Sequence, residues 1–310
     1  MRGQGVRHIL LWMARNGWLK EHLPRLPFAR RAVRRFMPGE TAEEALAAAE
    51  PFRTHGIGLL FTRLGENLSD LSQAQAIADH YHGLIDEIAS RGLDGEISVK
   101  LTQLGLDLDP DATLAHGAAL SEHAARSGKT FWIDMEGSAY TEATVAMYER
   151  LKAEHANVGL CLQAYLRRTP ADLHRLLPLH PAIRLVKGAY DEHAAVAFRK
   201  RSEVDGAYQS LAVLMLPQAA AGELRLGLGT HDLALVDRIA EYATTAGFPK
   251  TCFEVQMLYG IRARDQVRLA TSGYRVRDLI SYGEAWYAWY LRRLAERPAN
   301  VAFALRQLFG

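Results

Sequence analysis

Eight short apolar runs, each followed by a longer amphipathic stretch, recur between residues 56 and 280, and this alternation restricts the chain to an architecture of βα units. The runs are Gly56 to Thr62, Glu96 to Leu101, Thr130 to Asp134, Asn157 to Gln163, Ile183 to Lys187, Leu224 to Gly229, Cys252 to Met257 and Tyr274 to Ile280. Helix-like segments follow them: Asp70 to Ser90, Pro110 to Ser127, Thr141 to Ala153, Thr169 to Leu177, Glu203 to Leu216, His231 to Ala246 and Ile261 to Thr271. Thr141 and Asp232 read as caps for two of these helices. Eight units predict a closed (βα)8 barrel, whereas a doubly wound sheet more often stops at five or six strands and carries a glycine-rich fingerprint that is missing here. A chain of 310 residues that is 49% hydrophobic can bury such a core.

Charge divides the chain at about residue 40. Residues 1–37 hold nine Lys or Arg against one acid, and the remainder is net acidic. Residues 1–40 are therefore read as a basic helical arm and residues 41–310 as the barrel. Trp12 and Trp18 interleave with the arm's cations, a pattern suited to packing on the barrel or to lying on an anionic membrane surface. No DNA-binding pattern is present, so no nucleic-acid partner is expected. Both cysteines, Cys161 and Cys252, sit in apolar runs, as reduced thiols of a cytoplasmic protein do. No apolar stretch reaches the roughly 18 residues of a membrane span.

In a barrel enzyme the chemistry lies where strands end, and nearly every run here ends in a polar residue. Glu66 follows the first. Lys100, Asp134 with Glu136, Gln163, Arg184 with Lys187, Thr230 with His231, and Glu254 with Gln256 mark the next six. Each has a plain structural reading as an ion-paired or hydrogen-bonded strand end. Together they are costly to bury without a ligand to compensate them, which points to a charged small-molecule site. Twelve histidines include no HExxH pair, so no metal is expected. Residues 284–297 read as a last helix on which Trp289, Arg292, Arg293 and Glu296 share one face, and adjacent arginines offer forked donors to a carboxylate.

Five of these segments carry a resemblance: Ser98-Val99-Lys100-Leu101, Arg184 to Tyr190, Gly229-Thr230-His231-Asp232, Phe253 to Gly260, and Tyr290 to Glu296. In this order they resemble the proline dehydrogenases, which oxidise L-proline to Δ1-pyrroline-5-carboxylate. The resemblance implies a distorted barrel with FAD at its mouth and the final helix lying over it. It implies Lys100, Arg292 and Arg293 as carboxylate ligands and Tyr190, Leu258 and Trp289 as walls around the substrate ring. Asp134, Gln163, Arg184, Lys187, Gly188 and Ala189 would hold or flank the flavin, as would Thr230, His231, Gln256 and Glu296. Lys100, Asp134 and Arg184 would be catalytic, and Glu66 would pair with Arg293 as a gate. A membrane quinone would take the electrons, with the arm making peripheral contact at the inner face of the membrane. A separate pyrroline-5-carboxylate dehydrogenase would take the product.

This chain departs from the family pattern on the eighth strand. Leu279-Ile280-Ser281-Tyr282-Gly283 stands where many relatives have Tyr-x-Pro-x-Gly, which leaves rejection of 4-hydroxyproline open. Trp289 stands where a tyrosine is usual.

Overall fold

The structure is a computed structural model and describes residues 10, 12–13, 16–22, 33–65 and 68–296, with the side chains of 20, 21, 292, 293, 295 and 296 left aside. Helix α1 spans Gly17–His22 and α2 spans Ala42–Arg53. There follow β1 Gly58–Arg63, α3 Leu71–Ser90, β2 Gly95–Lys100, α4 Pro110–Arg126, β3 Phe131–Asp134, α5 Thr141–Glu154 and β4 Val158–Gln163. The second half runs α6 Thr169–Leu176, β5 Ala182–Val186, α7 Arg201–Ala220, β6 Arg225–Gly229, α8 Leu233–Thr245, β7 Phe253–Leu258, α9 Ala263–Thr271, β8 Arg275–Tyr282 and α10 Trp286–Glu296. All eight strands are parallel and close into one barrel, with β8 returning to β1 in the register Leu60 to Leu279 and Thr62 to Ser281.

Local chemistry sets the helix starts. Asp70 accepts from the amides of Ser72 and Gln73, and Asp109 from those of Asp111 and Ala112, with Pro110 at the first helical position. Thr41 and Glu44 form a reciprocal capping box that starts α2. The caps expected at Thr141 and Asp232 differ. Thr141 is the first residue inside α5, and the Asp232 carboxylate makes no cap bond because it pairs with Lys187 and Arg201 instead. Helix α7 also runs on through Pro217 to Ala220, past the stop that a proline predicts. Burial of Leu216 and Ala219 against the barrel outweighs the one backbone donor that Pro217 lacks.

Strand alternation sorts the core. Leu59, Phe61 and Ile280 face the helical layer, while Leu60, Trp132, Ala182 and Leu279 form a separate cluster inside the barrel. Below that cluster lies an ionic floor. Arg225 bonds Glu96 at 2.7 Å and Glu254 at 3.0 Å, Arg277 lies within 3.8 Å of both acids, and the Trp132 indole donates to Glu96 at 2.8 Å. Glu254 thus belongs to the N-terminal end of the barrel and not to its mouth, a correction that only the strand stagger makes visible.

Helix α10 does not flank its own strand. Trp286, Tyr287, Trp289, Tyr290, Leu291 and Leu294 gather with Leu64 beyond β1, Leu258 at the end of β7, and Leu10, Val33, Phe36 and Met37 of the arm. The helix therefore covers the C-terminal end of the barrel and is itself covered by the arm. The Trp286 indole donates to Glu40 at 3.0 Å, and the Tyr287 hydroxyl lies 3.4 Å from the Met13 carbonyl. Among the described residues no helix is long and apolar enough to cross a membrane.

Candidate active site at the barrel mouth

Above the Leu60–Trp132 layer, the inward positions of the strands turn polar. Lys100 ends β2 with Ser98 two residues before it, Asp134 ends β3, Gln163 ends β4, and Arg184 stands at the middle of β5. The Arg184 guanidinium is paired with the Asp134 carboxylate, and the Ser98 hydroxyl donates to Asp134 at 2.8 Å while accepting from Arg184 at 2.8 Å. Lys100 Nζ stands 4.0 Å from the other Asp134 oxygen. Burial raises the Asp134 carboxyl, but the charges of Arg184 and Lys100 outweigh it and hold the group below its usual value. Burial pushes the Arg184 value down, and the Asp134 charge more than restores it. The site at rest is thus one half-buried anion between two cations. Ser98 is the residue that sequence reasoning missed, although its place two residues before Lys100 puts it on the same face of β2.

The opposite wall is made of absences of side chain. On β6, a Cβ on Gly227 would crowd the Gln256 amide and one on Gly229 would come 2.7 Å from Val186. Gly188, at φ +109, lies so close to the Tyr165 ring that any side chain there would overlap it. His231 Nε2 accepts from the Leu258 amide at 2.9 Å, which ties the β6 exit to the end of β7. The Asp232 amide donates to the Thr230 hydroxyl at 3.2 Å, shaping the same turn. Lys187 is engaged by Asp205 and, at 3.0 Å, by Asp232, so its amine anchors the β5 exit loop to α7 and α8. Glu136 likewise pins the turn after β2 through Thr102, at 2.7 Å.

Three buried polar atoms on these inward-facing residues make no hydrogen bond: Gln163 Oε1, Arg184 Nη1 and Gln256 Oε1. The opposite amide nitrogen of Gln163 donates to the Met135 carbonyl at 3.1 Å, and that of Gln256 to Glu254. Gln163 and Gln256 thus each keep an acceptor without a donor inside the protein, and Arg184 Nη1 has no oxygen to donate to, its guanidinium lying beside the Cys161 thiol.

Of the remaining expected residues, Tyr190 and Ala189 lie on the β5 exit loop and are half-buried. Trp289 of α10 and Leu258 at the end of β7 share one apolar cluster. Arg292, Arg293 and Glu296 lie on the described backbone of α10, above the mouth, but their side chains are outside the described set. Glu66 lies outside the described residues altogether. No group of three or more His, Cys, Asp or Glu suited to a metal occurs among the described residues.

The fold and the mouth together define a class, the (βα)8-barrel enzymes whose charged site is roofed by a terminal helix. A family profile described as proline dehydrogenase matches residues 45–306. Proline dehydrogenase 1 of Bacillus subtilis is 36% identical over 301 residues, covering 97% of this chain and 98% of its own length. The proline dehydrogenase of Deinococcus radiodurans is 35% identical over 277 residues, 88% of each chain. The chain belongs to the proline dehydrogenase family. Solved structures agree on the fold: the proline utilization A protein of Bdellovibrio bacteriovorus, inactivated by N-propargylglycine, superimposes with a TM-score of 0.80 at 21% identity. That match covers 93% of this chain and 38% of the other.

Proposed function

We propose that this chain oxidises L-proline to Δ1-pyrroline-5-carboxylate using FAD held at the barrel mouth, and that a membrane quinone takes the electrons. The observation that carries the flavin reading is the set of unmatched buried atoms on Gln163, Arg184 and Gln256, beside glycines whose missing side chains leave room for a planar ring. Their chemistry fits: an isoalloxazine edge carries an N–H for an amide oxygen to accept and carbonyls for a guanidinium to bond. Arg184, Gln163 and Gln256 would hold that edge, and the loop of Lys187, Gly188 and Ala189 with Thr230, His231 and Glu296 would hold the rest. When bound, FAD would accept a hydride from the substrate carbon next to nitrogen.

The protein's own part is orientation and exclusion of water. Lys100, Arg292 and Arg293 would fix the carboxylate, and Leu258, Tyr190 and Trp289 would press the ring into one pose. Asp134 holds Arg184 in place and, as an anion, balances Lys100. The fixed positive charge of Arg184 favours negative charge developing beside it. Glu66 with Arg293 would close the site.

The arm's surface fits peripheral membrane contact, since Trp12 and Trp18 are 62% and 65% exposed within a basic segment. Anaerobic addition of L-proline to the FAD-reconstituted protein should bleach the flavin's visible absorbance, and a soluble quinone should restore it. A protein that binds no FAD, or a bound flavin that L-proline leaves unbleached, would overturn this reading.

A further inference from the structure

Ser98 is fully buried and touches both members of the ion pair on which the site is built. Its hydroxyl has one orientation that satisfies them. A guanidinium has no acceptor and an ionised carboxylate no donor, so Ser98 Oγ accepts from Arg184 Nη2 and gives its single proton to Asp134 Oδ1, each at 2.8 Å. Arg184 Nη2 also donates to that same Asp134 oxygen. The other oxygen, Oδ2, is left to Lys100 Nζ at 4.0 Å. The carboxylate is thus divided between two cations, one oxygen to each.

Charge alone does not select this division. An arginine and a carboxylate pair more strongly side by side, with two N–H groups on two oxygens, than through one nitrogen. Here Arg184 Nη1 meets no oxygen, its guanidinium lying beside the Cys161 thiol, while the Trp132 ring centre lies 5.4 Å from the guanidinium carbon. Turning Asp134 onto a second guanidinium nitrogen would break its bond from Ser98 and take Oδ2 away from Lys100. We propose that Ser98 is a positioning residue for the oxidation: by bridging Asp134 Oδ1 and Arg184 Nη2 it keeps the carboxylate shared, so that Arg184 retains positive charge beside the cofactor and Lys100 stays tethered at the substrate carboxylate's place. The proposal rests on the flavin-holding, proline-oxidising reading above and adds to it the residue that apportions the buried charge.

The test compares the FAD-reconstituted full chain with its Ser98→Ala and Ser98→Cys variants. Alanine removes the bridge, and cysteine fills the space but hydrogen-bonds weakly. In both, Asp134 closes on Arg184 and neutralises more of its charge. The bound flavin should become harder to reduce, its oxidised-to-reduced ratio at a fixed solution potential rising about threefold to tenfold, the span of one hydrogen bond. The kcat for L-proline should fall with it, whereas KM should not rise, because Lys100 is released toward the substrate. An unchanged flavin potential in Ser98→Ala overturns the proposal. So does a wild-type potential in Ser98→Cys, which would leave filled volume as the whole role of the serine, and so does a KM that rises as kcat falls, the mark of a loosened site. Should Ser98→Ala not fold, Ser98→Cys carries the test. Failure of the wild type to bind FAD, or of L-proline to bleach it, is a different result, and it removes the parent reading and this one together.

Discussion

The Arg184 guanidinium and the Asp134 carboxylate form an ion pair inside the barrel that joins β5 to β3, and the Ser98 hydroxyl of β2 is hydrogen-bonded to both at 2.8 Å. Three strands are thereby locked at the level where the site begins. Asp134→Ala leaves a buried arginine without its counter-ion, which should destabilise the fold by about 3–5 kcal/mol. Urea denaturation of the variant reads this directly, and a loss below about 1 kcal/mol would show that Arg184 finds other compensation.

The carboxylate clamp makes a kinetic prediction. Arg292→Ala and Arg293→Ala should each raise KM for L-proline, because each removes a charge-assisted bond of about 1.5–3 kcal/mol. Glu66→Ala should instead alter kcat and KM together, as loss of a closing contact does. Steady-state kinetics of the three variants separate the two roles, and unchanged KM in both arginine variants removes the clamp.

Gly188 predicts a coupling between backbone and cofactor. Alanine at φ +109 is strained by about 1–2 kcal/mol, and its methyl would overlap the Tyr165 ring. Gly188→Ala should lower Tm and reduce the FAD content of the purified protein, with partial recovery at high FAD. Full flavin content at an unchanged Tm would mean that the loop rearranges at no cost.

A pH dependence comes from the outer side of β8. Asp278 is 0% exposed with neither oxygen hydrogen-bonded, and burial pushes its carboxyl up to about 7, with Gln266 beside it offsetting part of the rise. The folded value lies above the unfolded one, so the unfolded chain gives up its proton first. This contribution to stability is complete below about pH 4 and is lost at up to about 1.4 kcal/mol per unit as pH rises toward 7. Asp278→Asn should remove that slope, since a neutral amide can donate to the unmatched Gln266 oxygen. Chemical denaturation from pH 5 to 8 checks it, and parallel curves for the two proteins would refute it.

The sequence by itself determined the number and order of βα units and the strand ends that carry polar groups. Both are local properties: alternation along eight runs, and a charged or amide residue where each run meets a loop. Lys100, Asp134, Gln163 and Arg184 were legible for that reason. Tertiary structure decided the level at which each residue sits. Closing a barrel staggers its strands, so Glu254 falls into the ionic floor with Arg225 and Arg277 while Gln256, two residues on, sits one level higher and bonds back to Glu254. It also decided partners distant in sequence: Ser98 with Arg184 across 86 residues, Thr62 with Ser281 across the closing seam, and Lys187 with Asp205 and Asp232. No periodicity encodes such pairs, because they exist only once β8 has returned to β1.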